Sequence, residues 1–178
     1  MTSEAQKQAM IAASFQKHFY QYGFKKTSVD DIARDLSMSK KTIYQLFPSK
    51  EAIYAYLENS VAVQYRQRLD QRLASLPSSD ARAADATRIY LEEMRRWSAP
   101  PEDFEKTYRY MLARGAFERA FLGVLEDVAA AAETDRDRAA RRARLALGTA
   151  RTGLAETADA QDPNAIEDVV GAVQRVLR

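Results

Sequence analysis

An all-α fold is predicted from three observations. Apolar residues recur at every third and fourth position over long stretches, glycine and proline number only 6 and 5 in 178 residues, and the serines and prolines that interrupt the pattern sit where helices would start and stop. A chain of this length buries a real core, as one domain or two small ones. It contains no cysteine, which excludes disulfides, thiolate metal sites and cysteine nucleophiles, and its single histidine, His18, excludes multi-histidine metal sites. There is no basic-then-apolar leader pattern, and no apolar run nears the roughly 20 residues that span a bilayer. The expectation is a soluble, cytoplasmic protein with no membrane association, no cofactor and no metal.

The first helix is predicted from Ser3 or Glu4 to Tyr22, with Ile11, Ala12, Phe15, Phe19 and Tyr22 as its buried stripe and Gly23 as a left-handed C′ residue. His18 borders the stripe and has no carboxylate or second histidine near it in sequence, so it reads as structural or surface. Lys25 and Lys26 follow, as contacts to an anionic backbone or as a solvated pair.

Residues 25–57 carry the functional signal. Ser28 precedes the apolar series Val29, Ile32, Ala33 and Leu36, with Asp31 placed to complete a capping box. Ser37-Met38-Ser39 breaks the run, and Ser39 caps a second short helix, Lys40 to Phe47, whose Ile43, Leu46 and Phe47 share a face. Lys40, Lys41, Thr42, Tyr44 and Gln45 are left for the other faces. Pro48 ends this helix and Ser49 caps the next. The pattern is that of a helix-turn-helix, whose second helix enters the major groove N-terminus first, or of a plain αα-hairpin. Free amides at a helix start attract phosphate, lysines add charge, and a threonine can touch a base edge or a thymine methyl. Charge favours the first reading. Residues 1–50 hold eight basic and four acidic side chains, whereas the remainder, with 19 basic and 21 acidic, comes out at −2 against +2 for the whole chain.

Phe15, Phe19, Gly23-Phe24, Thr27-Ser28-Val29, Ile32-Ala33, Ser39-Lys40-Lys41-Thr42-Ile43-Tyr44, Phe47 and Ser49-Lys50-Glu51 together resemble the DNA-binding domain of the TetR family of transcriptional regulators. The likeness covers about the first third of the chain. Ser37 stands where the family usually has glycine in the turn, and acidic Asp30 stands where a DNA contact is sometimes made. The resemblance implies a helix-turn-helix domain over residues 1–48 and a larger ligand-binding and dimerisation domain over 49–178, joined by a helix starting near 49. It implies a dimeric, ligand-responsive repressor of a near-palindromic double-stranded DNA operator, with an unknown small-molecule effector. Thr42 and Lys40 are the expected base readers, with Lys41 and Gln45 next. Tyr44, Lys50, Ser28 and Thr27 are the expected phosphate contacts, and Ser39 completes the set.

The connecting helix is predicted from Ser49 to about Leu73, with Ile53, Tyr54, Tyr56, Leu57, Val61, Tyr65 and Leu69 apolar. Leu76-Pro77-Ser78-Ser79-Asp80 breaks the chain, and Ser79 or Asp80 is expected to cap a helix ending near Trp97. Ser98-Ala99-Pro100-Pro101 breaks it again. Residues 102–133 hold many large side chains, with Gly115 as a possible helix junction. Aromatics at helical spacing read as plain core or as pocket lining. For the second case the expected wall is Tyr90, Met94, Trp97, Phe104, Tyr108, Met111, Phe117 and Phe121, with Arg109 or Arg114 for an anionic group.

Two last helices are predicted, about Arg136 to Ala158 and Pro163 to Leu177, with Asp162 as N-cap and Pro163 at N1 of the second. Ile166, Val169, Val170, Val173 and Val176 make an apolar stripe facing Ala143, Leu145, Leu147, Ala150 and Leu154, with Gly148 and Gly153 allowing close approach. This hairpin either covers the chain's own core or, as the resemblance implies, pairs with its twin through Leu147, Ala150, Leu154, Ile166, Val169, Val170 and Val173. No nucleophile–histidine pair, phosphate loop or metal spacing is present, so an enzyme is not expected. The remaining alternative is a helical small-molecule or partner-binding module that has lost DNA binding.

Overall fold

A computed structural model describes residues 3–96, 104–157 and 164–178. Among these residues there are eight α-helices and no strand: α1 Glu4–Lys26, α2 Val29–Asp35, α3 Lys40–Leu46, α4 Lys50–Leu73, α5 Ser79–Arg96, α6 Phe104–Ala132, α7 Arg136–Thr157 and α8 Ala165–Leu177. They fall into two compact units, one within Met1–Val61 and Pro100–Gly115, the other within Ala62–Ala99 and Ala116–Arg178. No described helix is long and apolar enough to cross a membrane.

The first unit begins with a capping box. Ser3 Oγ accepts the Gln6 amide at 3.2 Å, and Gln6 Oε1 accepts the Ser3 amide at 2.8 Å. α1 does not stop at Tyr22 but continues to Lys26 across a kink at Gly23 (φ 76°, ψ 170°). Side-chain-bearing residues rarely adopt that conformation, so glycine is required there. The Thr27 amide and hydroxyl both donate to the Gly23 carbonyl, at 3.1 and 2.9 Å, which closes the last turn. Because the kink re-aims the chain, Phe24 packs on the core, and Tyr22, expected in the stripe, is left 43% exposed.

Ile11, Phe15 and Phe19 bury their side chains against Val29, Ile32 and Ala33 of α2, Ile43 of α3, Ile53 and Leu57 of α4, and Leu112 of α6. Tyr54 meets Phe15, Phe19 and Phe24 edge-on, with ring centroids 6.4, 5.4 and 5.7 Å away, and Tyr108 lies 5.2 Å from Phe19. His18, which lacked a carboxylate near it in sequence, has Asp35 of α2 at 2.8 Å. That bond is the first cause holding the Asp35 carboxyl below the ordinary aspartate value of 3.8, with Lys17 adding to it.

Gly115 is no junction, since α6 runs through it unbroken. A Cβ there would stand 2.6 Å from Glu58 Oε1, so the glycine is explained by close approach rather than by a turn.

In the second unit, α5 is capped one residue earlier than expected: the Ala81 amide donates to Ser78 Oγ at 3.1 Å, because Ser79 already lies in the helix. α5, α7 and α8 pack together around Leu73, Ile89, Tyr90, Leu91, Phe121, Leu125, Ala143, Ala150 and Val173. α7 and α8 run antiparallel. Arg142 Nη1 donates to the Arg178 carbonyl at one end, and at the other a Cβ on Gly153 would meet Val169 Cγ2 at 2.4 Å. Gly148, expected to allow a similar approach, has nothing within 4 Å of a built Cβ because it lies on the exposed face of α7. Arg88 holds Glu167 through two bonds of 2.7 and 2.8 Å, and Arg178 holds Asp80 at 2.7 Å, tying α8 to α5 near both its ends. Asn164 precedes α8 without a side-chain cap, and Asp162 and Pro163 lie outside the described residues.

Candidate nucleic-acid interface

Each helix of the motif starts on a serine. Ser28 Oγ accepts the Asp31 amide at 3.2 Å, Ser39 Oγ the Thr42 amide at 3.0 Å, and Ser49 Oγ the Ala52 amide at 3.2 Å. The box expected at Ser28 is only half formed. Asp31 Oδ2 takes the Ser28 hydroxyl at 2.6 Å, and its other oxygen takes Arg34 at 3.2 Å, so the carboxylate is spent on side chains and not on the Ser28 amide. Between α2 and α3 the chain turns in four residues, Leu36 to Ser39. Ser37 takes φ 51°, the left-handed conformation that glycine fills more comfortably, and the Met38 amide returns to the Ala33 carbonyl at 2.9 Å.

Ile43, at 0% exposure, and buried Phe47 anchor α3 to the core. The opposite side presents Lys40, Lys41, Tyr44 and Gln45 outward, with Tyr44 49% exposed, and Thr42 is half-buried. Two of these are already engaged. The Thr42 hydroxyl shares a 2.8 Å hydrogen bond with Ser39 Oγ, and the Lys40 ammonium forms an ion pair with Asp30 of α2. That pair was not legible in sequence, because the two residues meet only once the turn is made.

Thr27 and Lys50, expected against phosphate, are placed otherwise. Thr27 is 2% exposed, its hydroxyl committed to Gly23. The Lys50 ammonium donates to the Phe24 and Thr27 carbonyls and lies 4.5 Å from the Phe24 ring centroid. Carbonyls left open by the last turn of α1 claim it. Glu51, beside it, is held below the ordinary glutamate value first by its own backbone amide and then by the Ser49 hydroxyl.

The residues expected in the ligand wall fall in both units. Tyr108 and Met111 belong to the first unit, where Tyr108 faces Phe19 and Met111 is 55% exposed. Tyr90, Met94, Phe117 and Phe121 are buried in the second unit, with Tyr90 stacked on Phe121 at 4.4 Å and lying parallel to Phe117 at 6.5 Å. Trp97 and the side chain of Phe104 lie outside the described residues. The one polar feature of the buried group is the Tyr90 hydroxyl, which donates to Glu118 at 2.9 Å; Glu118 in turn pairs with Arg151. Burial and the neighbouring carboxylate both push the Tyr90 hydroxyl to titrate well above the ordinary phenol. Among the residues expected at a dimer interface, Leu147, Ala150, Val169, Val170 and Val173 are buried in their own chain, while Leu154 and Ile166 are half-buried against that core. The apolar stripe of α8 is consumed in packing on α5 and α7. The surface left outward carries Arg141, Arg144, Leu145 and Gly148 on α7 and Glu167, Asp168 and Arg175 on α8.

Two short helices, each capped, joined by a four-residue turn and braced by a helix on either side, define a helix-turn-helix protein. Residues 16–57 match the model of the bacterial regulatory proteins of the tetR family. On that stretch, about a quarter of the chain, the protein is similar to this family.

A curated relative, the HTH-type transcriptional regulator EthR of Mycolicibacterium smegmatis, is 32% identical over 77 residues, which cover 43% of this chain and 36% of that protein. The match thus spans little more than a third of the relative's length. The chain is also similar over most of its length to three solved structures. Reduced NemR of E. coli has 14% identity, 95% and 96% coverage and TM-score 0.45. Regulator FadR of Bacillus subtilis, in complex with stearoyl-CoA, has 15% identity, 95% and 95% coverage and TM-score 0.47. TetR-family regulator SCO4454 of Streptomyces coelicolor has 16% identity, 99% and 96% coverage and TM-score 0.46.

Proposed function

We propose that the protein is a cytoplasmic, non-enzymatic transcriptional regulator that binds a near-palindromic DNA operator as a homodimer and releases it when a small molecule binds. The observation that carries this reading is the mounting of α3: Ile43 and Phe47 fix one side of the helix, while Lys41, Tyr44 and Gln45 stand outward beside Lys40 and Thr42. A rigid helix with cationic and hydrogen-bonding side chains on its outer face suits the major groove. In this reading Lys40, Lys41, Thr42 and Gln45 read bases, while Tyr44 and Ser28 meet phosphate. Ser39 holds the leading turn of α3. Thr27 and Lys50 set the position of the motif from behind.

One such helix spans few base pairs, and a two-fold pair places half-sites about 34–36 Å apart. The exposed side of the α7–α8 hairpin supports an isologous pairing. Arg141 and Arg144 lie toward one end and Asp168 toward the other, with Gly148 between, so a two-fold axis sets opposite charges together. An effector releases DNA only by binding the two states unequally, with about 1.4 kcal/mol for each tenfold change in affinity.

Selection of bound duplexes from a random pool, read out by gel shift, tests the reading. Recovery of a two-fold symmetric site is expected, and failure to retain any duplex at low salt overturns it. Sedimentation at micromolar concentration is expected to give a dimer, and a monomer alone would remove the paired half-sites.

A further inference from the structure

The reading helix carries a competitor for its own DNA contact. Lys40 opens α3, and its ammonium is paired with the carboxylate of Asp30, in the first turn of α2. The two side chains are 55% and 56% exposed, so the pair stands in solvent and contributes little to the fold. Lys17 is already engaged by Asp35, and Arg34 by Asp31, whereas Lys41 stands next to Lys40 with no charged partner among the described residues. Of the two cations that begin α3, one is therefore free to meet any phosphate and the other must first leave a carboxylate.

We infer that Asp30 is a specificity-determining residue, which withholds Lys40 from non-cognate duplex and yields it only where the base contacts of a cognate site replace the ion pair. The inference rests on the DNA-binding reading above. Its physical basis is that phosphate contacts carry no sequence information, whereas base contacts do. On an arbitrary duplex, Lys40 gains one phosphate and loses Asp30, while the Asp30 carboxylate is brought toward the polyanion, so the exchange is close to neutral. On a cognate site the ammonium reaches a guanine edge, where a well-placed bond discriminates between bases. Without the carboxylate, Lys40 would bind phosphate everywhere, and affinity would rise most where it is least useful.

Asp30→Asn keeps the size of the side chain and its place in the helix start but removes the charge. The probes are poly(dI-dC) duplex and the site recovered by selection with the wild-type protein. For the variant, affinity for poly(dI-dC) at low salt is expected to rise about three- to tenfold. Its dependence on salt should steepen by about 0.9 in log–log slope, the signature of one added phosphate contact. Affinity for the selected site should rise less, so the ratio between the two falls. In a Lys40→Ala background the same substitution should have a much smaller effect on the slope. An unchanged slope and an unchanged ratio overturn the inference, as does an equal loss of binding to both probes with a lowered melting temperature, which would make Asp30 a structural acid. If the wild-type protein binds neither probe, the DNA-binding reading itself has failed; if it binds both and Asp30→Asn behaves like it, only the role of Asp30 has.

Discussion

The Lys50 ammonium donates to the Phe24 carbonyl at 2.7 Å, so the first residue of α4 closes the open C-terminal end of α1. The bond to the Thr27 carbonyl at 3.1 Å fixes the segment that leads into α2. Charge-assisted bonds of this kind are worth about 1.5–3 kcal/mol each way of counting the pair. Lys50→Met is accordingly expected to lower the urea midpoint by an amount corresponding to about 1.5–3 kcal/mol, with the salt slope of DNA binding unchanged. A shallower slope with intact stability would return Lys50 to the phosphate backbone.

Gly23→Ala is expected to be severe, because it fails twice. Its φ of 76° disfavours any side chain, and the new Cβ would stand 2.2 Å from the Tyr108 hydroxyl. Adding Tyr108→Ala should relieve the collision but leave the backbone term, so the double variant should stay about 1–2 kcal/mol below Tyr108→Ala alone. Chemical denaturation of the four proteins measures both parts.

Phe121→Ala tests whether the aromatic group of the second unit is packing or pocket. The ring is 0% exposed and stacked on Tyr90. As packed core it should cost about 3–5 kcal/mol. A loss under about 1 kcal/mol would mean that the ring borders a space able to hold a ligand.

Tyr44→Phe is expected to weaken binding to every duplex alike, as the loss of a phosphate contact should. Thr42→Ala should instead alter which sites are recovered by selection, with overall affinity for random duplex nearly kept. Identical behaviour of the two variants would remove the division between phosphate and base contacts.

Asp35 gives a pH signature with a defined sign. Its folded-state carboxyl titrates below the ordinary 3.8, chiefly through the His18 hydrogen bond. A depressed carboxyl adds stability above the unfolded value and loses it as pH falls through the folded one. The melting-temperature gap between wild type and Asp35→Asn should therefore hold steady well above pH 3.8 and narrow below it. A gap that widens on acidification would contradict the assignment.

What the sequence made legible was local. Ser39 and Ser49 cap as their positions suggested, and Ile43 and Phe47 bury as their spacing required, because caps and helix faces are set by neighbours a few residues away. Ser37 was recognisable as a departure, and the backbone there is left-handed as a residue standing for glycine must be. What stayed unread lies where the decisive partner is distant. Nothing near Lys50 in sequence announces the Phe24 carbonyl, nothing near His18 announces Asp35, and nothing near Lys40 announces Asp30. The α8 stripe was legible as buried, but periodicity does not say what buries it, and the answer within the chain is α5 and α7. The aromatic residues of α6 looked like one set, yet Tyr108 packs in the first unit and Phe117 and Phe121 in the second.

That division of α6 has a consequence for timing. Tyr108 covers Gly23 and touches Phe19, and Leu112 is among the buried residues around Ile11 and Ile32. A nascent chain that has just cleared α4 already possesses the whole reading motif but not the two side chains that finish its interior. The head must therefore wait, partly open, while half as much polypeptide again is synthesised, and a fragment cut after α4 would inherit that unfinished state permanently.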